Sequence, residues 1–285
     1  MKRLLMLALL ASVALGAHAA GAPNTLAKLK SSKTITLAYA PNSAPFSYVE
    51  SSGAQPKGYS IDLCTSVVAQ IQKQLGLDEL KIKWVAGTTP ERLAMVAAAK
   101  ADMECGVTTT TLKRQEKVDF SSITFMQAGS VLSRADAGIG VPREMAGKKV
   151  AVVAGTTTEK RFSEALAKDK IAAELVPFKS RDEAFKAMEE GKVQALAGDK
   201  IVLVGLVARD PKNAAQFALM SQDFSVEPYA FALRRGDADF RLAVNRGLAQ
   251  TYRSGAFGLM FDRWFAPFVP SELLLTLYAL SAMEE

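Results

Sequence analysis

Residues 104–114 place a run of hydroxyl groups and two cations directly after a short apolar strand pattern that ends at Val107. Thr111 is a candidate N-cap for the next helix, so Arg114 falls in the first turn, where the helix dipole opposes a positive charge. A bound carboxylate would reverse this effect, because it could accept a forked pair of hydrogen bonds from Arg114 and another from the Thr109 hydroxyl. The alternative is an exposed helix start with solvated cations.

Other segments also combine capping residues with charged groups. Thr89 is a candidate N-cap before Pro90, which places Arg92 in a first helical turn. Residues 156–159 and 180–183 both have the pattern of a capping box. These helix starts are therefore candidate anion-binding points.

Each of these segments has a structural alternative. Arg92 could pair at the surface with Glu91 or Asp102. The threonines of residues 156–158 could serve only their own helix, and Arg181 could face solvent. These alternatives stay open at the level of the sequence.

Asp199 follows a strand pattern at residues 193–197 and precedes an apolar helix pattern at residues 201–207. It is therefore a candidate N-cap or, if buried, a carboxylate that needs a cationic partner. A buried carboxylate is costly without such a partner.

The amino-terminal segment has the features of a secretory signal. Lys2 and Arg3 precede an apolar run at residues 4–15, and Ala17-His18-Ala19 is a small-x-small cleavage site. We therefore predict that residues 1–19 are a signal peptide and that the mature protein is periplasmic. The apolar run is too short to span a bilayer, and no later segment reaches the required length.

Composition excludes several classes of function. His18 is the only histidine, so the mature chain lacks histidine bases, Ser-His-Asp or Cys-His sites and histidine metal ligands. We predict no catalytic residues, no metal and no cofactor. Without Lys2 and Arg3, 33 basic residues face 29 acidic residues, and the net charge falls from +6 to +4. The charges are mixed in sign along the chain, so we expect no nucleic-acid partner.

Two cysteines, Cys64 and Cys105, have positions that predict burial. Cys64 lies on the apolar face of a helix pattern at residues 61–75, and Cys105 lies on the inner period of a strand. An exported protein favours a disulfide between them, and two buried free thiols are the alternative.

Strand and helix patterns alternate twice along the chain. Strand patterns at residues 34–40, 81–85 and 103–107 alternate with helix patterns at 61–75 and 91–100, and strand patterns at 149–154, 173–178 and 193–197 alternate with helix patterns at 160–168 and 182–190. This order predicts two βαβαβ units, each with a mainly parallel sheet flanked by helices. A further strand is predicted at residues 229–233, and helices at 240–265 with breaks at Gly255 and Gly258.

Five motifs carry a family resemblance: residues 45–48 (PFSY), 58–62 (GYSID), 104–114, 155–159 (GTTTE) and 261–265 (FDRWF). In this order and spacing, the chain resembles the glutamate/aspartate-binding proteins among the family 3 periplasmic solute-binding proteins of ABC importers. The resemblance implies a two-lobed type II fold, with residues 20–128 and 226–285 in one lobe and 129–225 in the other. It also implies two crossing strands near residues 127–131 and 221–228, and a ligand cleft between the lobes.

The resemblance also implies roles for individual residues. Arg114 and Thr109 would hold the α-carboxylate of an amino acid, and Asp199 its ammonium group. Arg92 and Thr89 would hold a distal carboxylate. The remaining implied contacts are Thr156 and Thr157 from the second lobe, Val107 partly through its backbone, and Arg181 where relatives have a histidine.

One departure from the family concerns specificity. Ala40 stands where the glutamate/aspartate binders carry a further arginine. The resemblance predicts a monomeric protein that delivers an acidic amino acid to a membrane permease, and the missing arginine makes a polar neutral amino acid the alternative ligand. A cyclohexadienyl dehydratase-like enzyme on the same scaffold is a second alternative, with Asp199 or Glu104 as its acid.

Overall fold

The computed structural model describes residues 24–284, so the predicted signal peptide lies outside the described residues. The helices are α1 (Thr25–Ser32), α2 (Tyr59–Gln74), α3 (Thr89–Ala97), α4 (Leu112–Gln115), α5 (Thr157–Lys168), α6 (Arg181–Glu189), α7 (Lys200–Val207), α8 (Ala238–Arg253), α9 (Ala256–Phe265) and α10 (Glu272–Ser281). The strands are β1 (Thr34–Tyr39), β2 (Asn42–Ser43), β3 (Ser47–Tyr48), β4 (Lys81–Ala86), β5 (Met103–Glu104), β6 (Val118–Arg134), β7 (Lys149–Val153), β8 (Glu174–Phe178), β9 (Ala195–Asp199), β10 (Phe217–Leu219) and β11 (Ser225–Arg234).

The larger sheet has the strand order β4-β1-β5-β11-β6-β9-β7-β8, and β10 pairs with β6. Strands β1, β4 and β5 are parallel to one another, as are β7, β8 and β9. Strands β6 and β11 run antiparallel to each other and to their neighbours β9 and β5. The first parallel group belongs to the first lobe and the second to the second lobe, which confirms the predicted two-lobed α/β fold.

Strand β6 passes from one lobe to the other without a break. Its first part pairs with β11 and its last part with β9, and Gly129 lies opposite both Ser225 and Asp199. The crossings predicted near residues 127–131 and 221–228 therefore lie at the point where β6 exchanges one partner strand for the other. The residue limits predicted for each lobe stay predictions.

Each lobe buries an apolar core of its own. Leu37, Val67 and Phe231 belong to the core of the first lobe. In the second lobe the neighbours Ala151 and Val152 of β7 lie in different cores, because successive strand residues point to opposite faces of the sheet. The second sheet is therefore covered on both faces, as a parallel βαβ unit requires.

The disulfide prediction is confirmed in the first lobe. Cys64 of α2 and Cys105, directly after β5, are joined with a Cα–Cα distance of 6.0 Å, and both are fully buried. The bond therefore connects the helix to the sheet on which it packs.

One predicted helix break is wrong. The chain does break at Gly255, where φ is +73°, but α9 runs through Gly258. Gly258 has no left-handed backbone, so nothing interrupts the hydrogen-bonded turns there. After α9, α10 returns to the first lobe, where the hydroxyl of Tyr278 contacts that of Tyr59 at 2.6 Å. No helix within residues 24–284 is long and apolar enough to cross a membrane.

Candidate functional site

The hinge strand β11 holds a buried carboxylate, Glu227, between groups from both lobes. Its Oε2 accepts from the hydroxyls of Thr109 at 2.6 Å and Thr157 at 2.9 Å. Its Oε1 accepts from Ser225 at 2.6 Å and from Arg161 at 3.0 Å. The side chain has no solvent exposure. A carboxylate of the protein itself therefore joins Thr109 and Thr157, two of the hydroxyls for which ligand contacts were predicted.

Arg114 lies beside this carboxylate on the first lobe. Its Nη1 donates to the carbonyl of Thr109 at 2.6 Å, and Thr111 caps the helix by accepting from the Arg114 amide at 3.1 Å. Burial lowers the pKa of Arg114, while the nearby charges of Glu104 and Glu227 oppose that shift. Among the described residues, no carboxylate forms an ion pair with Arg114.

The dipole argument for Arg114 needs a correction. Helix α4 has only one turn, so Arg114 lies as close to its end as to its start. A single turn adds little macrodipole, because the effect sums over aligned peptide units. The position of Arg114 between charged neighbours, not the helix, makes it a candidate anion contact.

Arg92 is buried in a network of the first lobe. Its Nε donates to Glu104 Oε1 at 2.7 Å and its Nη1 to the carbonyl of Gly87 at 2.7 Å. Its Nη2 lies 3.3 Å from the hydroxyls of both Thr89 and Thr108. Neither surface alternative applies, because the carboxylate partner is Glu104. The direct ligand role stays a prediction, although most of the guanidinium donors already have protein acceptors.

Gly106 makes this ion pair possible. A Cβ at this position would lie 2.3 Å from Glu104 Oε1 and 3.0 Å from Arg92 Nη2. A glycine at this position therefore leaves the space that the Arg92–Glu104 pair occupies.

The N-cap predicted at Thr89 is wrong by one residue. Thr88 opens α3, and Glu91 Oε2 accepts from both the amide and the hydroxyl of Thr88 at 2.8 Å. Thr89 is the first helical residue, so its hydroxyl is free to face Arg92.

The three threonines at the start of α5 have different hydrogen-bond partners. Thr156 caps the helix: its hydroxyl accepts from the Glu159 amide at 3.1 Å and donates to the Val153 carbonyl at 2.8 Å. Thr157 reaches Glu227, and Thr158 donates to Asp199 Oδ1 at 3.0 Å. The predicted ligand contact of Thr156 stays untested, but its hydroxyl serves its own helix.

Asp199 and Arg181 form a second link across the cleft. Arg181 Nη2 donates to Asp199 Oδ2 at 3.3 Å, and its Nη1 donates to Ser43 Oγ of the first lobe at 3.1 Å. Asp199 stands at the N-cap position of α7, but its side chain makes no cap hydrogen bond. Burial raises the pKa of Asp199 despite the opposing charge of Arg181. Arg181 thus faces the cleft, and Asp199 is more than a cap.

Val107 and Ala40, two positions that the family resemblance singled out, are both buried. Val107 is 4% exposed, and Ala40 is 1% exposed. The hydroxyl of Ser47 donates to the Ala40 carbonyl at 2.9 Å and accepts from the Ala40 amide at 3.0 Å. The amide and the carbonyl of Ala40 are therefore both bonded to Ser47, and no arginine side chain extends from this position.

Ion pairs account for most of the charge of the cleft. Arg92–Glu104, Arg161–Glu227 and Arg181–Asp199 are within 2.7, 3.0 and 3.3 Å. Arg114 is the fourth arginine, so the described cleft carries one net positive charge when all seven groups are ionised. Within residues 24–284 no cluster of three or more histidine, cysteine, aspartate or glutamate side chains could hold a metal.

Sequence reasoning missed Glu227, the central carboxylate, together with Arg161 and Ser43. The alternation of β11 contained a signal for Glu227, because Glu227, Tyr229 and Phe231 share one face of the strand. The predicted strand began only at Tyr229 and so left Glu227 out. Arg161 and Ser43 had no local signal, because their partners are distant in sequence.

Comparison with known proteins defines the class to which this fold and cleft belong. Residues 35–267 match the model of the bacterial extracellular solute-binding proteins, family 3. An L-glutamate/L-aspartate-binding protein of Pseudomonas aeruginosa is 35% identical over 246 residues, covering 86% of this chain and 81% of that protein. A glutamate/aspartate import solute-binding protein of Escherichia coli is 28% identical over 279 residues, covering 98% and 92%. The chain therefore belongs to family 3 of the bacterial extracellular solute-binding proteins, as predicted.

Solved structures agree on the fold. The ancestral amino-acid-binding protein AncCDT-1, a precursor of cyclohexadienyl dehydratase, has a TM-score of 0.72 at 28% identity and covers 85% of this chain and 100% of its own. A substrate-binding protein of an ABC uptake transporter from Streptococcus pneumoniae, solved with bound histidine, has a TM-score of 0.76 at 20% identity, covering 86% and 98%. At that identity the second likeness supports the fold alone.

Proposed function

We propose that this chain is a periplasmic amino-acid-binding protein of an ABC importer and that its ligand is an acidic amino acid such as L-glutamate or L-aspartate. The observation that carries the proposal is Arg114, a partly buried cleft arginine without a carboxylate partner among the described residues. A ligand with a net charge of −1 would neutralise the net positive charge of the cleft. The relatives named above bind glutamate and aspartate, which supports the same choice.

The contacts suggest a specific orientation of the ligand. A threonine hydroxyl has one proton, and Thr109 and Thr157 both donate theirs to Glu227. Their oxygens can therefore accept from a ligand ammonium group, with Asp199 supplying negative charge nearby. The α-carboxylate would bind Arg114. The role first predicted for Thr109, donation from its hydroxyl to the carboxylate, does not fit this arrangement.

The distal carboxylate of the ligand would meet Arg181. This arginine comes from the second lobe and reaches Ser43, close in sequence to Ala40, where the further arginine of the glutamate/aspartate binders is absent. Arg181 would then compensate for that loss. Contacts from both lobes exist together only in the closed form, so ligand binding favours closure and presents the closed protein to a membrane permease.

An enzymatic role has less support. Glu104, one candidate acid, accepts from Arg92 and is fully buried. Asp199, the other, accepts from Arg181 and Thr158. Each carboxylate is therefore already the ion-pair partner of an arginine of this chain.

A thermal-shift screen of the mature protein tests the proposal. The panel contains L-glutamate, L-aspartate, L-glutamine, L-serine, L-arginine and prephenate. Glutamate or aspartate at 100 times its dissociation constant should add about 2.7 kcal/mol of stability. A shift with glutamine or serine but with neither acid would support the polar neutral ligand instead, and consumption of prephenate would support the dehydratase.

The first prediction concerns Arg114. Arg114→Ala should weaken binding of glutamate by about 30- to 5,000-fold, because the ligand carboxylate would lose its charged partner in a largely desolvated site. Titration calorimetry measures this change. Lys113→Ala is the matched control, since its side chain carries the same charge one residue away and is 81% exposed. Near-wild-type affinity in Arg114→Ala would remove the assignment.

A further inference from the structure

Two sets of donors meet at Glu227, and they differ in how they are attached to its strand. The first set is attached directly to β11. Ser225 lies on β11 itself, and the loop of Thr109 is bonded to β11 by Thr110 N to Pro228 O at 2.9 Å and Ala230 N to Thr108 O at 3.1 Å. The hydroxyls of Ser225 and Thr109 therefore move with Glu227.

The second set comes from the other lobe. Thr157 and Arg161 lie one turn apart on α5, and both donate to the Glu227 carboxylate. Arg161 Nη1 also donates to the carbonyl of Val226. When the lobes separate, α5 moves away from β11 and these contacts break, whereas those from Ser225 and Thr109 remain.

We propose that Glu227 is a positioning residue that links the two lobes without ligand and so raises the population of the closed form. This inference rests on the proposed function, because closure is the step that ligand binding completes. The contacts of Glu227 on β11 then supply part of the free energy of lobe closure, and the ligand supplies the rest. Closed molecules already hold Thr109 and Thr157 in place for the ligand.

The consequence for affinity follows from the population of the binding-competent form. Apparent affinity scales with the fraction of unliganded protein that is closed. If that fraction falls from about one half to about 5% when the link is lost, the affinity for ligand falls roughly tenfold. The ligand contacts themselves need not change.

Small-angle X-ray scattering of the unliganded proteins tests the proposal directly. Glu227→Gln keeps the side-chain shape but loses the charge, and Thr157→Val removes a donor that crosses the cleft. Ser225→Ala is the matched control, because it removes a hydroxyl donor to the same carboxylate from within β11. We expect a larger radius of gyration in Glu227→Gln and Thr157→Val, and the wild-type value in Ser225→Ala.

Several outcomes overturn the proposal. One is a wild-type radius of gyration in both Glu227→Gln and Thr157→Val. Another is an expansion of Ser225→Ala as large as that of these two variants. A third is a wild-type protein that is already as open as Glu227→Gln. If Glu227→Gln fails to fold, as judged by circular dichroism, Thr157→Val alone decides. Titration with L-glutamate then separates the two hypotheses: an absence of binding by the wild type removes the acidic ligand, whereas the unliganded scattering tests the link independently.

Discussion

Arg92 and Glu104 form a buried ion pair that is only partly satisfied. Glu104 Oε2 has no hydrogen-bond partner among the described residues, although its other oxygen accepts from Arg92. Removal of one member of such a pair leaves a buried charge without compensation, which costs more than the pair itself contributes. A structural role for Arg92 therefore predicts a large effect on folding, and a ligand role predicts a large effect on specificity.

Arg92→Ala should lower the free energy of unfolding by about 3–5 kcal/mol, measured by urea denaturation. The double variant Arg92→Met/Glu104→Leu should recover most of that loss, because it removes both charges. If Arg92→Ala instead keeps wild-type stability and loses only the preference for glutamate over glutamine, the guanidinium serves the ligand.

Asp199 gives a prediction about pH. Burial raises its pKa above the ordinary value of 3.8, so the folded protein holds the proton more tightly than the unfolded chain. The contribution of Asp199 to stability is therefore fully present below the ordinary pKa and is lost as pH rises through the raised folded value. Asp199→Asn should thus gain stability relative to wild type as pH rises above about 4, while glutamate binding is lost.

Thermal melts from pH 3.5 to pH 7 without ligand measure this difference. Asp182→Asn is a suitable control, because Asp182 lies in the same lobe and its side chain is half exposed. A melting temperature of Asp199→Asn below that of wild type at pH 7 would show that the ion pair with Arg181 outweighs the cost of burial.

For single residues, the sequence predicted which side chains are candidates for the site better than it predicted which residues those side chains contact. Arg114, Asp199 and Arg181 all reach the cleft, because a strand or helix start directed each of them there. Arg92 was assigned to a surface carboxylate or to the ligand, and its carboxylate partner is instead Glu104, brought close by the sheet. The contact between helix α3 and strand β5 is set by tertiary packing, which local patterns do not encode.

At the scale of elements, α7 approaches the first lobe at a glycine. A Cβ on Gly205 would lie 2.4 Å from the carbonyl oxygen of Ala44, and backbone atoms cannot yield as a flexible side chain can. Gly155 has a similar position, since its Cβ would lie 2.7 Å from the ring of Pro90. Both glycines of the second lobe thus permit close contact with the first.

Gly205→Ala should separate stability from binding. In the open form it should stabilise α7 by up to about 1 kcal/mol, because alanine is the better helix former. In the closed form it should clash with Ala44, and we expect glutamate affinity to fall by about tenfold, or roughly 1.4 kcal/mol. Calorimetric titration and thermal melts measure the two effects.

Gly258→Ala is the matched control for this substitution. Gly258 also lies within a helix, but nothing stands within 4 Å of a Cβ built there. It should gain helix stability and keep full affinity. Unchanged affinity in Gly205→Ala would mean that the contact with Ala44 is not needed for the ligand-bound form.

Most elements were predictable because hydrophobic periodicity is local. The two βαβαβ units, the N-cap of α6 at Ser180 and the helix break at Gly255 all follow from residues within one turn or one strand of each other. The position of β11 between β5 and β6 was not predictable in this way, because periodicity shows that a strand exists but not which strands it pairs with. The family resemblance implied only that two strands cross between the lobes, and not which strands they adjoin.

At the scale of the molecule, the disulfide stabilises only the first lobe. Cys64 and Cys105 are 41 residues apart, which corresponds to about 4 kcal/mol of chain-entropy stabilisation. The variant Cys64→Ser/Cys105→Ser should therefore unfold at lower urea concentration, with a loss of about 2–5 kcal/mol. Added reductant should lower the midpoint of wild type and leave that of the variant unchanged. An equal midpoint for reduced and oxidised wild type would argue against a stabilising bond.

The position of β11 also has a consequence for the order in which the molecule can assemble. Strands β6 to β10 follow one another in the chain and pair among themselves, so all strands of the second lobe have emerged by residue 219. Strands β1, β4 and β5 pair among themselves, but they are joined to β6 only through β11, so this junction must wait for the carboxyl-terminal part of the chain. In a chain that emerges amino-terminus first, the first lobe is therefore completed after the second lobe. Premature arrest before residue 225 would leave a folded second lobe attached to an incomplete first one.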